Sequence, residues 1–227
     1  MPDLIYCTDI CKDYTTGSIT KRVLSDVSIE VRAASLTLLK GRSGSGKTTL
    51  MNIMGALDSP TSGQIFYGQR NLSDFTNEQK DMLRRREIAF VFQSIALLSH
   101  LSAYDNVEFM LRIAKLPVDR ERIEHCLELV GLKERMKHLA PMLSGGEQQR
   151  VAIARALVHK PKIIFADEPT SQLDSTTSAY IMRLFKQFIK EDNISILATS
   201  HDERVAEAAN YIYSIEDGHI MDLKINI

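Results

Sequence analysis

Net charge is what this chain has least of. Its 28 Lys and Arg against 29 Asp and Glu leave a formal −1 at pH 7, so bulk nucleic-acid binding, which needs a strong basic excess or patch, has no electrostatic basis. The local run Arg84-Arg85-Arg86 reads as solvated or ion-paired. Cysteine is scarce as well: Cys7, Cys11 and Cys126 form no metal-binding spacing and cannot all pair with one another. They read as reduced, buried thiols of a reducing compartment. Met1-Pro2-Asp3-Leu4 lacks the basic start and apolar core of a signal peptide. No apolar run approaches the length that crosses a bilayer, which leaves any membrane contact to a partner. There is no internal repeat, low-complexity run or disordered tail. What remains is 227 residues, 44% hydrophobic and 25% charged, enough for one large globular domain or a domain with an insertion.

Gly41-Arg42-Ser43-Gly44-Ser45-Gly46-Lys47-Thr48 fits the phosphate-loop pattern G-x-x-x-x-G-K-[ST]. Ser35–Lys40 before it is short and apolar enough for a buried strand. After it, Leu50, Ile53, Met54 and Leu57 recur at helical spacing, so strand, loop and helix follow in the required order. Glycines let successive backbone N–H groups face one anion without Cβ atoms in the way, and the helix aims its positive end at the same place. Lys47 can reach the outer phosphates, and the Thr48 hydroxyl can ligate Mg²⁺. A nucleoside triphosphate is expected here.

Leu4–Tyr14 and Val27–Val31 alternate apolar and polar residues and predict two strands, with a turn at Thr16-Gly17-Ser18. Asp58–Gly63 is a breaker cluster, Gln64–Gly68 a short strand, and Ile88–Phe92 a buried strand ending on Gln93. Ser102–Asp105 is a capping box opening a helix through Val107, Met110, Leu111 and Ala114. A second helix runs through Ile123, Leu127 and Val130 to Gly131, and a third is expected over Lys133–Leu139. No strand interrupts residues 94–143, which are expected to form an inserted helical subdomain. Next come a helix through Val151, Ala154 and Leu157 and a buried strand over Lys162–Glu168. Asp174 caps a helix carrying Ile181, Leu184, Phe185 and Phe188. Ile194–Ala198 is a further strand, and Tyr211–Ile215 with Ile220–Ile225 make a closing hairpin around Asp217-Gly218.

Strands alternating with helices imply a parallel sheet, whose ligands lie beyond the carboxyl ends of its strands. Gln93, Asp167, Glu168 and His201 all fall at or just past such ends, as the phosphate loop does. Asp167 is placed to hold Mg²⁺, since a lone buried acid there would be costly without a cation. Glu168, facing elsewhere, is the candidate to orient and polarise an attacking water. Gln93 can bridge metal and water, and His201 can sense the γ-phosphate. The other histidines (100, 125, 138, 159 and 219) read as surface or structural. Tyr14 is a candidate to stack on a nucleobase, though the pattern alone favours a half-buried strand-end tyrosine. Ser144-Gly145-Gly146, opening a helix, repeats the physics of an anion cradle and equally describes a glycine hinge.

With Leu143-Ser144-Gly145-Gly146-Glu147 added to Gly41–Thr49, Gln93, Ile163–Pro169, Ser171–Asp174 and His201, the chain resembles the nucleotide-binding subunit of an ABC transporter over essentially its whole length. That resemblance implies an α/β P-loop NTPase (RecA-like) fold. Residues 1–93 and 144–227 would form an ATP-binding core with an N-terminal antiparallel β subdomain, and 94–143 the helical signature subdomain. It implies ATP hydrolysis with Mg²⁺ held by Thr48, Gln93 and Asp167, and catalysis by Glu168, His201 and Gln93. ATP would be held by Tyr14, Gly41, Arg42, Ser43, Gly44, Ser45, Gly46, Lys47, Thr48 and Thr49 of one subunit. Ser144, Gly145 and Gly146 of a second, head-to-tail subunit, in a homodimer, would complete the site, with association in ATP and separation after hydrolysis. It further implies a cytoplasmic, membrane-peripheral location through an integral membrane permease docking near Gln93 and residues 94–106.

Leu57–Gly63, Arg84–Arg86 leading into Phe90–Gln93, and Asn106-Val107 are similar to the group serving lipoprotein release, macrolide export and antimicrobial-peptide resistance. The group works by export or by transmitting mechanical motion. A regulatory or signalling module that transports nothing, of the cell-division or peptide-sensing type, is the alternative. A soluble ABC ATPase acting on DNA or ribosomes would carry two modules, a coiled-coil insertion or a basic surface, and none is present. Gln172 stands where the family places a small residue, and Arg42 and Ala33-Ala34-Ser35 also depart from its commonest pattern. Glu168 is intact, so nothing marks the chain as catalytically degenerate.

Overall fold

The computed structural model describes residues 3–171 and 173–226. Two long strands, β1 (Asp3–Thr16) and β2 (Ile19–Arg32), precede β3 (Leu36–Lys40) and helix α1 (Lys47–Met54). Then come β4 (Ser62–Tyr67), β5 (Arg70–Asn71), α2 (Asn77–Arg86) and β6 (Ile88–Val91). Helices α3 (Ala103–Ile113), α4 (Arg120–Leu129) and α5 (Gly145–Leu157) lead to β7 (Ile163–Asp167). Helix α6 (Ser175–Glu191), β8 (Ser195–Thr199), α7 (Glu203–Ala208), β9 (Tyr211–Glu216) and β10 (His219–Ile225) complete the chain.

The strands form two sheets. One is antiparallel, in the order β2-β1-β4-β5; the other runs β10-β9-β3-β8-β7-β6. In the second, β6, β7, β8, β3 and β9 pair in parallel, and β10 returns antiparallel on β9. The apolar runs of β7 and β8 explain their central place, for every residue in both is buried. Helix α1 lies between the sheets: Leu50, Met51, Ile53 and Met54 pack with Ile5 and Leu24 on one side and Phe165 and Leu197 on the other. On the far face of the larger sheet, α3 to α6 bury Val107, Leu127, Val151, Phe185 and Phe188 against Ile164 and Ile196. Each burial of this kind contributes roughly 1.5–3 kcal/mol per large side chain. The result is an α/β fold with a parallel core and an antiparallel N-terminal sheet. Among the described residues no helix is long and apolar enough to cross a membrane.

Three elements differ from the sequence expectation. β2 begins at Ile19 rather than near Val27; Ile19–Arg22 are solvent-exposed on both faces and leave no alternation to read. β6 stops at Val91; Phe92 is exposed and stacks on Phe90, at the edge of the sheet. The helix expected over Lys133–Leu139 does not form, and short 3₁₀ turns occupy Lys133–Arg135 and Ala140–Met142. The carbonyls that would have continued it are engaged elsewhere. Those of Met136 and His138 accept the Tyr104 and Ala103 N–H groups at the start of α3. Ser102 opens that helix with the expected capping box to Asp105.

Candidate nucleotide site

The phosphate loop is shaped by steric limits at two glycines. At Gly41 a Cβ would lie 2.2 Å from the Ile215 carbonyl oxygen. Gly46 combines a left-handed φ of 102° with a Cβ position 2.6 Å from Leu24 Cδ2, so only glycine fits without displacing the antiparallel sheet. No side chain caps α1 and no acid lies in its first turn, which leaves its N–H groups for an anion. The Lys47 ammonium, largely buried, donates to the carbonyl oxygens of Gly41 (2.9 Å) and Arg42 (2.8 Å). Ser45 is tucked beneath the loop, its side chain buried.

Around this loop opens a cleft of about 600 Å³ lined by Gly41, Arg42, Ser43, Gly44, Gly46, Lys47, Thr48 and Thr49 together with Val23, Gln93, Asp167, Glu168 and His201. The polar groups at three strand ends therefore meet in one place. Asp167 is 7% exposed but is not alone: it accepts from Thr48 Oγ1 at 2.9 Å and from Thr199 Oγ1 at 2.6 Å. Two hydroxyls thus supply part of the solvation that burial removes. Glu168 has a left-handed backbone, φ 47°. Its Oε1 lies 3.2 Å from His201 Nδ1, with the carboxylate mostly covered and the imidazole mostly exposed. Among the lining residues the Thr48 hydroxyl, the Asp167 carboxylate and the Gln93 amide offer hard oxygen donors that suit Mg²⁺. Among the described residues no cluster of three or more His, Cys, Asp or Glu forms an all-protein metal cage. A cation held by one carboxylate and the nucleotide's phosphates fits that pattern.

Tyr14 stands outside this lining. It is exposed at 44%, its hydroxyl donates to Asp58 Oδ2 at 2.9 Å, and Lys12 Nζ sits 4.8 Å from its ring centroid. Burial works against ionisation of Asp58, yet hydrogen bonds from Lys12, the Ser59 N–H and Tyr14 hold its carboxyl below the usual range. Ser144 and Gly145 lie exposed at the N-terminus of α5, also outside the cleft. Ser144 Oγ accepts the Glu147 N–H at 3.2 Å, and Glu147 Oε2 accepts the Ser144 N–H at 2.8 Å. A Cβ on Gly145 would meet nothing within 4 Å. Gln172 falls outside the described residues.

Val23 and Thr199 went unnoticed in the sequence. Val23 belongs to a strand far from any motif, and Thr199 ends an apolar strand as an ordinary β-branched residue. The one available signal was position: Thr199 terminates a strand parallel to the one ending in Asp167.

A parallel sheet with a glycine-rich loop running into a helix, and with paired acidic residues at the end of a nearby strand, defines a P-loop nucleoside triphosphatase. A family profile described as "ABC transporter" matches residues 24–171. The chain belongs to the ABC transporter family, as an ATP-binding subunit of the LolD and MacB type with ATPase activity.

It is 45% identical over 222 residues to the macrolide export ATP-binding/permease protein MacB of Syntrophobacter fumaroxidans, a match covering 96% of this chain but 31% of that protein. It is 41% identical over 212 residues to the lipoprotein-releasing system ATP-binding protein LolD of Bdellovibrio bacteriovorus, covering 92% and 96%. The dimeric structure of MJ0796, a bacterial ABC transporter cassette, superposes with a TM-score of 0.92 at 35% identity, covering 97% of this chain and 98% of that one. A post-hydrolysis MJ0796 dimer bound to ADP and Pi superposes with a TM-score of 0.91 at the same identity and coverage.

Proposed function

We propose that two copies of this chain close head to tail around two ATP molecules and drive a membrane-spanning partner. The carrying observation is a division of labour within one chain. The cleft gathers the phosphate loop, Gln93, Asp167, Glu168 and His201, while the second glycine-lined helix end, at Ser144-Gly145-Gly146, faces outward and elsewhere. An exposed, obstacle-free N-terminus on one copy suits the open side of the cleft on another. The MJ0796 relatives, described as dimeric, support this arrangement.

In this reading Lys47 and the loop N–H groups bind the phosphates, Val23 and Tyr14 bracket the nucleoside, and Gln93 reports on the cleft to the segment that follows it. Mg²⁺, when bound by Thr48, Asp167 and Gln93, supplies charge neutralisation on the phosphate oxygens. Glu168 orients the water and takes up its proton, and His201 holds the Glu168 carboxylate in place while contacting the γ-phosphate. Residues 94–143 form a helical unit, and its start, residues 94–106, is the docking place of a permease. Similarity to MacB and LolD supports export or lipoprotein release; in this reading the subunit sits at the cytoplasmic face of a membrane and works by transmitting mechanical motion. The test is Glu168→Gln: turnover should fall by about 10²–10⁴-fold, and size-exclusion chromatography should show a dimer in ATP that is absent in ADP. A Glu168→Gln protein that hydrolyses ATP at the wild-type rate, or that stays monomeric in ATP, would overturn it.

A further inference from the structure

Building on the roles given above to Asp167 and Glu168, we propose that Thr199 is a positioning residue for ATP hydrolysis, one hydroxyl fixing both the metal-side carboxylate and the backbone that presents the water-side carboxylate. Thr199 ends β8 and pairs in register with Asp167 at the end of β7. On adjacent parallel strands that register puts the two side chains on the same face of the sheet. The side chain is fully buried. Its hydroxyl has one proton to give, and it goes to Asp167 Oδ1 at 2.6 Å. The same oxygen then accepts the Glu168 N–H at 2.9 Å, with the Thr199 carbonyl oxygen also receiving that N–H at 3.2 Å.

Both ends of this relay bear on the cleft. With Oδ1 of Asp167 engaged by Thr199, Oδ2 is turned toward Thr48, the hydroxyl of the oxygen donor set. At the other end, Glu168 adopts a left-handed backbone that a side-chain-bearing residue keeps only where its surroundings impose it. The bond from its N–H to Thr199 is such a constraint, and it sets the direction in which the Glu168 side chain leaves the strand toward His201. Valine has the shape of threonine without the hydroxyl. It would leave Oδ1 of Asp167 without this donor and the Glu168 N–H with the longer backbone contact alone. The packing would stay and the geometry of both carboxylates would loosen.

The experiment compares the purified full chain, Thr199→Val and Thr199→Ser. For Thr199→Val, kcat should fall by roughly 10–100-fold, the range seen when a hydrogen-bond partner of a metal ligand is removed. ATP affinity in EDTA should stay within about twofold, since the phosphate loop is untouched. Mn²⁺ serves as the probe for the metal: its affinity in the presence of ATP, read from the free-ion EPR signal, should weaken by about tenfold or more. Thr199→Ser, which restores the hydroxyl, should recover both quantities.

The proposal is overturned if Thr199→Val keeps both kcat and Mn²⁺ affinity within about twofold of wild type. It is equally overturned if serine fails to rescue, or if the rate loss only matches a loss of folded protein measured by circular dichroism. Should valine prevent folding, Thr199→Ala with a native spectrum is judged on the same two readouts. Glu168→Gln run in parallel separates the two levels. Retained turnover there sinks the assignment of the site, whereas abolished turnover with an unaffected Thr199→Val sinks only the role of Thr199.

Discussion

The Thr48 hydroxyl donates to Asp167 Oδ2 at 2.9 Å, joining the first turn of α1 to the end of β7 across 119 positions of chain. This bond places a hydroxyl and a carboxylate side by side at the mouth of the cleft, where a hard cation would draw on both. Asp167→Asn keeps the shape and an acceptor oxygen for Thr199 but removes the charge. ATP affinity in EDTA should be unchanged, the gain in affinity on adding Mg²⁺ should disappear, and kcat should fall by roughly 10–100-fold. Fluorescence titration with and without Mg²⁺ checks it; a surviving Mg²⁺ effect refutes the assignment.

Glycines 46 and 145 should separate folding from assembly. Gly46→Ala forces a Cβ against Leu24 at a left-handed φ and should cost about 1–3 kcal/mol in urea unfolding, along with loss of ATP binding. Gly145→Ala adds a methyl to open space, so stability should move by no more than about 0.5 kcal/mol. Dimerisation in ATP should nevertheless be lost.

Asn106 is fully buried. Its amide nitrogen donates to the carbonyls of Ser102 (2.9 Å) and Leu98 (3.1 Å), and its oxygen accepts the Leu98 N–H at 2.8 Å. Asn106→Leu strands these backbone groups. A loss of about 2 kcal/mol is expected, read as a Tm drop of roughly 4–8 °C for a chain of this size. An unchanged Tm would show that water replaces the side chain.

His159 links stability to pH. Burial holds its imidazole below the usual histidine range, outweighing the bond from Nε2–H to the Ile88 carbonyl at 3.1 Å. Nδ1 is buried without a partner, so protonation would strand a charge. The folded pKa lies below the unfolded one, so the unfolded chain takes up the proton first. This contribution to stability is therefore complete above about pH 6.5 and is lost as the pH falls below it toward the folded value. His159→Gln, which keeps a donor for Ile88, should flatten the slope of unfolding free energy between pH 7 and 5. An identical slope in both proteins would remove His159 from the account.

The cysteines give a simpler check. Burial pushes the Cys7 thiol up to about 12 and the Cys126 thiol up to about 11, and Cys11 is buried too. An aromatic disulfide reagent at pH 8 should leave Cys7 and Cys126 unmodified in the native protein, and should label all three thiols in guanidinium chloride. Rapid native labelling of Cys126 would mean that α4 opens.

Most of the candidate site could be read from the sequence because its members sit at boundaries. Gln93, Asp167, Glu168 and His201 each end or follow an apolar run, and in a parallel sheet those ends converge. What escaped was chemistry carried by side chains of ordinary strand type. Thr199 has the composition of any strand terminus, and Val23 lies in a hairpin whose tip is too polar to alternate. The missing helix over Lys133–Leu139 has another cause. Local sequence there tolerates a helix, but two of its carbonyls are claimed by α3 from thirty-odd positions away, and tertiary pairing overrode propensity.

That same pairing has a mechanical outcome. The N–H groups of Ala103 and Tyr104 end on the carbonyls of His138 and Met136, and the Ala140 N–H ends on Leu101. Ser102 and Leu139 face each other as an isolated antiparallel bridge. Residues 101–104 and 136–140 are therefore stitched into one stiff strip, with Ser144 four residues beyond its edge. If a partner docks just ahead of α3, as proposed above, its load falls on this hydrogen-bonded strip rather than on a free loop.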